Sequence, residues 1–345
     1  AGNRSVDPGA DDPGPEKTVK FGKIPTGDAE GALLAHSVTV PSGRLRKGLR
    51  LQARHVADLI AAGVQEITVA QLAETDVDEN TAAAALAEAL IVDHPHLTPS
   101  KAFTGRVNLL AQEPGVAVLD VAALEAVNAV HPMITLATVA PYQQMAAGGM
   151  VATIKIISYG VDRGDLSRAC SKGRGAIRMM VPHLADATLI ITEIDGGAGD
   201  KGKAAIANRL AALNVTLKEV VLVRHEAKAL RYAIARADTA LTLILTGSAT
   251  SDIDDVAPQA LRDAGGEVAR FGMPVDPGNL LFIGSLAGRP VIGLPGCARS
   301  PALNGADWVL SRVICGVEVT PQDIAAMGVG GLLKEIATRP QPRRG

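Results

Sequence analysis

The sequence contains few aromatic residues, few cysteines and no excess of charge of either sign. Phe, Trp and Tyr make up 2% of its 345 residues, too few for the stacked aromatic platforms that bind single-stranded nucleic acid. There are 34 Lys and Arg against 36 Asp and Glu, a net charge of −2. This balance gives no electrostatic reason to expect nucleic acid or a membrane surface as a partner. The three cysteines are widely spaced, which excludes a disulfide framework and a zinc knuckle.

Long apolar runs are also missing. No run reaches the roughly 18 residues of a membrane span, and no charged segment followed by an apolar one resembles a signal peptide. We therefore expect a cytoplasmic protein with no membrane partner. Apolar residues nevertheless make up 47% of the chain, enough for a core of Ala, Val, Leu and Ile. The length predicts about two or three domains.

The pattern of apolar residues changes along the chain. In its last third, short apolar strands alternate with amphipathic helices, which predicts an α/β fold with a parallel sheet covered on both faces. A hairpin at Ala287-Gly288 adds an antiparallel part, so the sheet is mixed but mainly parallel. The predicted segments are a disordered tail at 1–18, a small α+β domain at 19–95, an α+β domain at 96–185, an α/β domain of three layers at 186–335 and a second tail at 336–345.

One strand and the loop after it organise the predicted α/β domain. The apolar strand Ala240–Leu245 ends in Thr246-Gly247-Ser248-Ala249-Thr250, and a helix follows that opens with Asp254 and Asp255. Open α/β sheets bind anions at such turns, because backbone N–H groups and the helix amino terminus point at the ligand. We therefore expect a phosphate on Thr246, Gly247 and Ser248. An ordinary strand-to-helix loop is the open alternative.

The carboxylates Asp252, Asp254 and Asp255 have two interpretations. Two or three carboxylates at a strand end suit Mg²⁺, which binds through one or two acids together with substrate phosphates. Alternatively, these residues cap the helix and complement its dipole. Both interpretations stay open at the level of the sequence. Lys155 and Arg106 also have two open interpretations. Each is either an edge residue of an apolar strand or an anion ligand.

Four short motifs match those of one protein family. The family's Thr-Thr-Gly-Gly-Thr-Gly signature, with Asp-Val five residues later, aligns without gaps with Leu245–Thr250 and Asp255-Val256. Its Leu-Pro-Gly-x-Pro-x-Ser loop aligns with Leu294–Ser300, its Asp-Lys-Gly with Asp200–Gly202, and its Pro-Gly-Lys-Pro with Pro277-Gly278-Asn279. By these motifs, residues 186 to about 318 resemble the molybdopterin-binding domain family. That family includes molybdopterin adenylyltransferases and the gephyrin-type molybdopterin molybdotransferases.

The resemblance implies molybdopterin as ligand or substrate, and a role in molybdenum cofactor biosynthesis or delivery. The chain would be a divergent relative of the molybdotransferases and, if an enzyme, a transferase. Asp255 and His225 would be catalytic, and Asp255 with Asp254 would bind Mg²⁺. The implied cofactor-binding residues are Thr246, Gly247, Ser248, Thr250, Asp252, Pro277, Gly278, Pro295, Gly296 and Ser300.

The departures from the family pattern bear on activity. His225 stands where the family has an acid, and Ser248, Ala249 and Thr250 partly replace the glycines of the signature. His225 is either an ordinary surface residue or a group that neutralises phosphate and exchanges a proton. We therefore expect pterin binding without efficient ATP-dependent adenylation.

Two other functions stay open beside a biosynthetic role. One is a non-catalytic carrier or chaperone for a molybdoenzyme or for another cofactor-biosynthesis protein. The other is a nucleotide pyrophosphatase of the competence-damage type, a family that uses the same fold. In either case a homo-oligomer is expected, because symmetric assembly is the commonest way to close exposed sheet edges and crevices.

Overall fold

The computed structural model describes residues 19–92, 94–195 and 200–333. The tails predicted at 1–18 and 336–345 lie outside the described residues. The strands, in chain order, are β1 (Lys20–Pro25), β2 (Leu33–Leu34), β3 (Val38–Val40), β4 (Gly43–Leu45), β5 (Glu66–Gln71), β6 (Asp76–Asp78), β7 (Leu97–Pro99), β8 (Arg106–Ala111), β9 (Gly115–Leu119), β10 (Ile134–Thr138), β11 (Gln144–Met145), β12 (Met150–Ile156), β13 (Gly160–Asp162), β14 (Ile177–Met180), β15 (Asp186–Glu193), β16 (Thr216–Arg224), β17 (Leu241–Leu245), β18 (Glu267–Phe271), β19 (Phe282–Leu286) and β20 (Arg289–Leu294).

The α-helices of the same ranges number nine. They are α1 (Ala53–Ala61), α2 (Glu79–Leu90), α3 (Val121–Asn128), α4 (Arg163–Lys172), α5 (Lys203–Ala211), α6 (Ala227–Arg236), α7 (Val256–Asp263), α8 (Gly305–Ile314) and α9 (Pro321–Ala326). Within the described ranges, none of these helices has the length and apolar character needed to cross a membrane.

The described chain divides into two compact units. The first unit takes in the described parts of residues 1–110, 119–139 and 150–177, and the second those of 111–118, 140–149 and 178–345. The chain therefore passes between the units more than once. The sequence-based division into domains at 19–95, 96–185 and 186–335 stays a prediction.

The first unit is built of small antiparallel sheets with helices. Its largest sheets have the strand orders β1-β5-β2 and β10-β12-β8-β7. Asp78 caps α2, because its side chain accepts hydrogen bonds from the N–H groups of Asn80 and Thr81, both at 3.1 Å. Lys155 donates to the carbonyl of Thr104. The ammonium group of this lysine, which lies in an apolar strand, therefore already has a hydrogen-bond acceptor within the chain.

The second unit contains the predicted α/β domain. Its six-stranded sheet has the order β16-β15-β17-β20-β19-β18. The first four strands are parallel to one another, β19 pairs antiparallel with β20, and β18 pairs antiparallel with β19. The predicted α/β fold with a mixed, mainly parallel sheet is therefore confirmed. The apolar run Val220–Val223 predicts a strand, and β16 extends beyond that run at both ends because it pairs with β15 along its length.

Helices cover both faces of this sheet and complete the three layers. Leu189 and Ile191 of β15 pack on one side with residues of α5 and α8. Ile190, between them in sequence, packs on the other side with residues of α6 and α7. Successive side chains of a strand point to opposite faces, so a run that is apolar at every position must be covered twice. Complete burial of each Leu or Ile contributes about 1.5–3 kcal/mol.

Candidate functional site

The parallel strands of the second unit all end at one edge of the sheet, which we call the carboxyl edge. It consists of the ends of β15 and β16, the loop Thr246–Thr250 after β17, and the loop Pro295–Ser300 after β20. β19 runs the other way, and its first residue Phe282 pairs with Gly293 near the end of β20. The stretch before β19, which includes Pro277 and Gly278, therefore reaches the same edge.

Thr192, at the end of β15, joins two of the predicted site residues. Its hydroxyl oxygen accepts a hydrogen bond from the N–H of Gly247 at 2.9 Å and lies 2.8 Å from Nδ1 of His225. Besides accepting from Gly247, this hydroxyl can donate its hydrogen to an unprotonated Nδ1 or accept from a protonated one. Sequence reasoning missed Thr192. A threonine that ends a continuous apolar strand was the signal available.

The loop Thr246–Thr250 differs from the expectation in one respect. The sequence predicts that the N–H groups of Thr246, Gly247 and Ser248 all face a ligand, but that of Gly247 is bonded to Thr192. The cause is the parallel pairing of β15 with β17, which sets Ile191 opposite Leu245 and so brings Thr192 beside Gly247. The N–H groups of Ser248, Ala249 and Thr250 have no acceptor among the described residues.

Two buried hydroxyls shape the same loop. Oγ1 of Thr246 lies 3.3 Å from Oγ1 of Thr250, and both residues are buried. Ser248 and Ala249, between them, are exposed. The loop thus turns its two threonines inward and presents the backbone at Ser248 and Ala249 to the outside.

The carboxylates that follow the loop have partners within the protein. Asp255 is the N-cap of α7, since its side chain accepts hydrogen bonds from the N–H groups of Val256 at 2.7 Å and of Ser251 at 2.9 Å. Asp254 pairs with Arg262 at 2.9 Å, and Asp252 accepts from the N–H of Asp254. This is the capping interpretation of the sequence. In the described ranges no group of three or more His, Cys, Asp or Glu side chains could hold a metal ion.

Arg299 bridges two of the motifs and was also missed by sequence reasoning. Its guanidinium donates to the carbonyl of Thr246 at 2.8 Å and to that of Lys201 at 2.5 Å. Gly202 allows this approach: its φ is +101°, and a Cβ there would lie 2.9 Å from Cα of Arg299. Burial lowers the pKa of Arg299, but an arginine stays protonated in proteins. The guanidinium is thus a fixed positive charge beside the Thr246–Thr250 loop.

The remaining predicted residues shape the walls of the site. The carbonyl of Pro295 accepts from the N–H of Ala298 at 2.9 Å, which closes a turn. Ser300 accepts through its carbonyl from Arg209 and through its hydroxyl from Ala302, so both of its oxygens hold the loop.

Pro277 and Gly278 lie against the start of α8. The carbonyl of Pro277 accepts from the N–H of Gly305 at 2.9 Å. Gly278 has a φ of +142°, and a Cβ there would lie 2.7 Å from the same nitrogen. These two residues therefore hold the segment before β19 close to α8, and the structure gives them a packing role.

Gly296 faces open space, in contrast to Gly247. A Cβ at Gly296 would have no atom within 4 Å, whereas one at Gly247 would lie 2.6 Å from the carbonyl oxygen of Thr192. Of the two loops, the Pro295–Ser300 loop is therefore the one that leaves room for a ligand beside its glycine. The neighbouring Cys297 is half-buried, and burial raises the pKa of its thiol, so it is protonated near neutral pH.

Comparison with known proteins agrees with this architecture. Residues 187–313 match the family described as a probable molybdopterin binding domain, and residues 23–71 match a domain of unknown function. No curated protein sequence matches the chain. This family match covers the stretch in which the motifs predict the resemblance, residues 187–313.

Solved structures with partial likeness include two biosynthetic proteins and one of unknown function. The molybdopterin biosynthesis MoeA protein from Pyrococcus horikosii is 13% identical, with 86% of this chain and 75% of that chain covered and a TM-score of 0.31. The molybdopterin biosynthesis enzyme MoaB from Thermus thermophilus is 16% identical, with 44% and 100% covered and a TM-score of 0.27. CinA from Thermoplasma acidophilum, of unknown function, is 18% identical, with 34% and 90% covered and a TM-score of 0.25. The family match, and not these scores, assigns the domain.

Proposed function

We propose that the chain binds molybdopterin, or the cofactor made from it, at the carboxyl edge and acts in molybdenum cofactor biosynthesis or delivery. The observation that carries this proposal is the family match of residues 187–313, the stretch that contains the whole edge. The chemistry of the edge agrees, since it offers donors and a positive charge to an anionic group on the ligand.

The phosphate of the ligand would lie on the loop backbone at Ser248, Ala249 and Thr250. Their N–H groups are the ones without an acceptor in the described chain. Arg299 adds a charge, and its guanidinium uses two of five N–H donors on carbonyls. The amino terminus of α7 is less suitable than the sequence pattern predicts, because the carboxylate of Asp255 already caps it.

His225 would present Nε2 to the ligand. Its Nδ1 is held by Thr192 and its backbone N–H by the carbonyl of Glu193 at 2.9 Å, so one hydrogen bond fixes the ring and another fixes the backbone. A ring nitrogen oriented in this way can donate a hydrogen bond to phosphate or act as a general acid or base. A histidine at this position would be a poor ligand for Mg²⁺, because Mg²⁺ prefers oxygen to nitrogen.

The test is a pair of arginine variants. Arg299→Gln should lower the affinity for molybdopterin at least tenfold in calorimetry, since charge-assisted hydrogen bonds to phosphate are among the strong ones. Arg270→Gln is the matched control, because Arg270 also donates to two carbonyls, those of Gly272 and Pro321, both at 3.0 Å. Arg270 lies on β18, the outermost strand of the sheet, and the strands β20 and β19 separate it from β17. Equal affinity in the two variants, or no binding by the native chain, would refute the proposed site.

A carrier is the second candidate function, and the state of the carboxylates favours it. Asp252, Asp254 and Asp255 are engaged in a turn, an ion pair and a helix cap. Adenylyl transfer needs charge neutralisation on the moving phosphoryl group, and freeing these carboxylates for Mg²⁺ would cost the interactions they make. A carrier would hand its ligand to a molybdoenzyme or to another biosynthetic protein. Transferase activity, Mg²⁺ and a homo-oligomer also stay proposals.

A further inference from the structure

The second unit contains a cavity whose lining includes no residue of the loops Thr246–Thr250 and Pro295–Ser300. Its volume is about 520 Å³, within the range of roughly 300–1,000 Å³ that small-molecule sites occupy. It lies between α8, α9 and the segment 140–144, and we call it the α8–α9 cavity. The lining residues that bear on its chemistry are Tyr142, Gln144, Trp308, Arg312, Asp323 and Met327.

Two aromatic side chains line this cavity. The whole chain has one Trp and three Tyr, and the Trp and one of the Tyr line it. The guanidinium carbon of Arg312 lies 4.1 Å from the centroid of the Tyr142 ring, a close cation–π contact. Tyr142 has a φ of +59°, an unfavourable conformation for a residue with a side chain. Its N–H bond to the carbonyl of Ala117, at 2.7 Å, holds it there.

Arg312 has a donor that the protein does not use. Its Nε is buried and has no hydrogen-bond partner among the described residues. Buried donors are nearly always paired, so one without a partner calls for an explanation. The guanidinium keeps its charge although burial lowers the pKa of Arg312. A hydrogen-bond acceptor on a bound molecule would satisfy this donor.

The charges around the cavity are close to balanced. Asp323 lies in electrostatic range of Arg312, and its hydrogen bonds with Thr320 lower its pKa, so it is ionised at neutral pH. Asp307 is paired with Arg209 at 2.5 Å. A doubly charged phosphate in the cavity would therefore be attracted by Arg312 and repelled by Asp323. A planar, uncharged ring with acceptors on its edge fits better, because it can stack on aromatic faces and accept from Arg312.

We propose that the α8–α9 cavity binds an uncharged planar heteroaromatic ring of the purine-nucleoside class. The ring lies against the aromatic wall, and one acceptor on its edge takes the hydrogen bond from Nε of Arg312. This site is separate from the proposed pterin site, and neither proposal depends on the other.

The single tryptophan makes the test direct. Trp308 fluorescence should be quenched saturably by guanosine or adenosine, and Arg312→Gln should weaken that binding at least tenfold. Tyr142→Leu removes the ring under the guanidinium and should also weaken nucleoside binding. With two variants, the test stays decisive if one of them does not fold. Arg231→Gln is the matched control, because Arg231 lies 5.0 Å above the ring of Tyr232 outside the cavity. It should leave nucleoside binding unchanged.

Three results would overturn the proposal. The first is the absence of saturable quenching and of heat in calorimetry with both nucleosides while the native chain remains folded. The second is unchanged nucleoside affinity in folded Arg312→Gln and Tyr142→Leu. The third is tighter binding of guanosine monophosphate than of guanosine, with strong salt dependence, which would mean that the cavity selects charge. Molybdopterin affinity should be the same in Arg312→Gln and the native chain, so this test cannot be confused with that of the carboxyl edge.

Discussion

Thr192 is the residue on which the geometry of the carboxyl edge depends most. It is 1% exposed, and one hydroxyl serves both the N–H of Gly247 and the ring of His225. A buried group that connects two loops orients both. The conformation of His225 is therefore coupled to that of the loop after β17.

Thr192→Val should lower the free energy of unfolding by about 1–3 kcal/mol, because it leaves the N–H of Gly247 without its acceptor. The measurement is urea unfolding, repeated in a His225→Phe background. There the cost of Thr192→Val should shrink, since one of the two partners is already gone. Identical costs in both backgrounds would show that Thr192 and His225 are not coupled.

The glycines of the two loops should respond differently to an added methyl group. Gly247→Ala places a Cβ 2.6 Å from a backbone oxygen, so the fold must shift at a cost of about 1–3 kcal/mol. Gly296→Ala meets open space and should leave stability nearly unchanged while it weakens pterin binding. Urea unfolding and calorimetry on both variants provide the comparison. Equal stability of the two would contradict the close contact between β15 and the loop after β17.

At the scale of elements, the start of α7 decides between a cap and a metal site. Asp255→Ala should lower the free energy of unfolding by about 0.5–2 kcal/mol, and Asp255→Asn by less, because Asn is also a good N-cap. Pterin affinity of Asp255→Asn should be the same with and without Mg²⁺. Asp254→Asn, which breaks an exposed pair with Arg262, is the control and should cost little. A loss of Mg²⁺-dependent affinity in Asp255→Asn would restore the metal interpretation.

The end of α8 makes stability depend on pH. Cys315 follows α8 and is 1% exposed, and burial raises the pKa of its thiol to about 12. Since the folded value lies above the unfolded one, the thiol's contribution to stability is complete below the unfolded pKa of 9.0 and decreases between pH 9 and 12. Cys315→Ala should flatten the fall of unfolding free energy over this interval. The same slope in both proteins would show that Cys315 does not ionise on unfolding.

The elements of the α/β domain were largely predictable, and their contacts were not. Continuous apolar runs predicted β15 and β17, and the threonine-rich turn predicted the loop after β17. The length of β16 was underestimated, because its alternate residues are exposed at the sheet edge and only pairing with β15 defines it. The short helix α9 was not predicted. It has a capping box of Thr320 and Asp323, but its six residues are too few to show helical periodicity.

For the whole molecule, the departures from the family motifs predict that one reaction of the family is lost. We expect ATP-dependent adenylation of molybdopterin to be absent or very slow, because His225 replaces a family acid and side chains replace signature glycines at Ser248 to Thr250. The assay is formation of AMP-pterin from ATP and Mg²⁺, with His225→Asp run in parallel. Rapid turnover by the native chain would overturn the expectation, and a gain in the variant would support it.

The amino-acid sequence by itself determined the order of strands and helices in the second unit and the position of the family motifs, because apolar runs and turn residues act locally. Only the tertiary structure decided which polar groups meet. Thr192 finds His225 and Gly247, and Arg299 finds Thr246, across separations of 33, 55 and 53 residues. Such pairs depend on the order and register of strands in the sheet. A local pattern carries no information about them, so Gly247, expected to donate to a ligand, instead donates to its neighbouring strand.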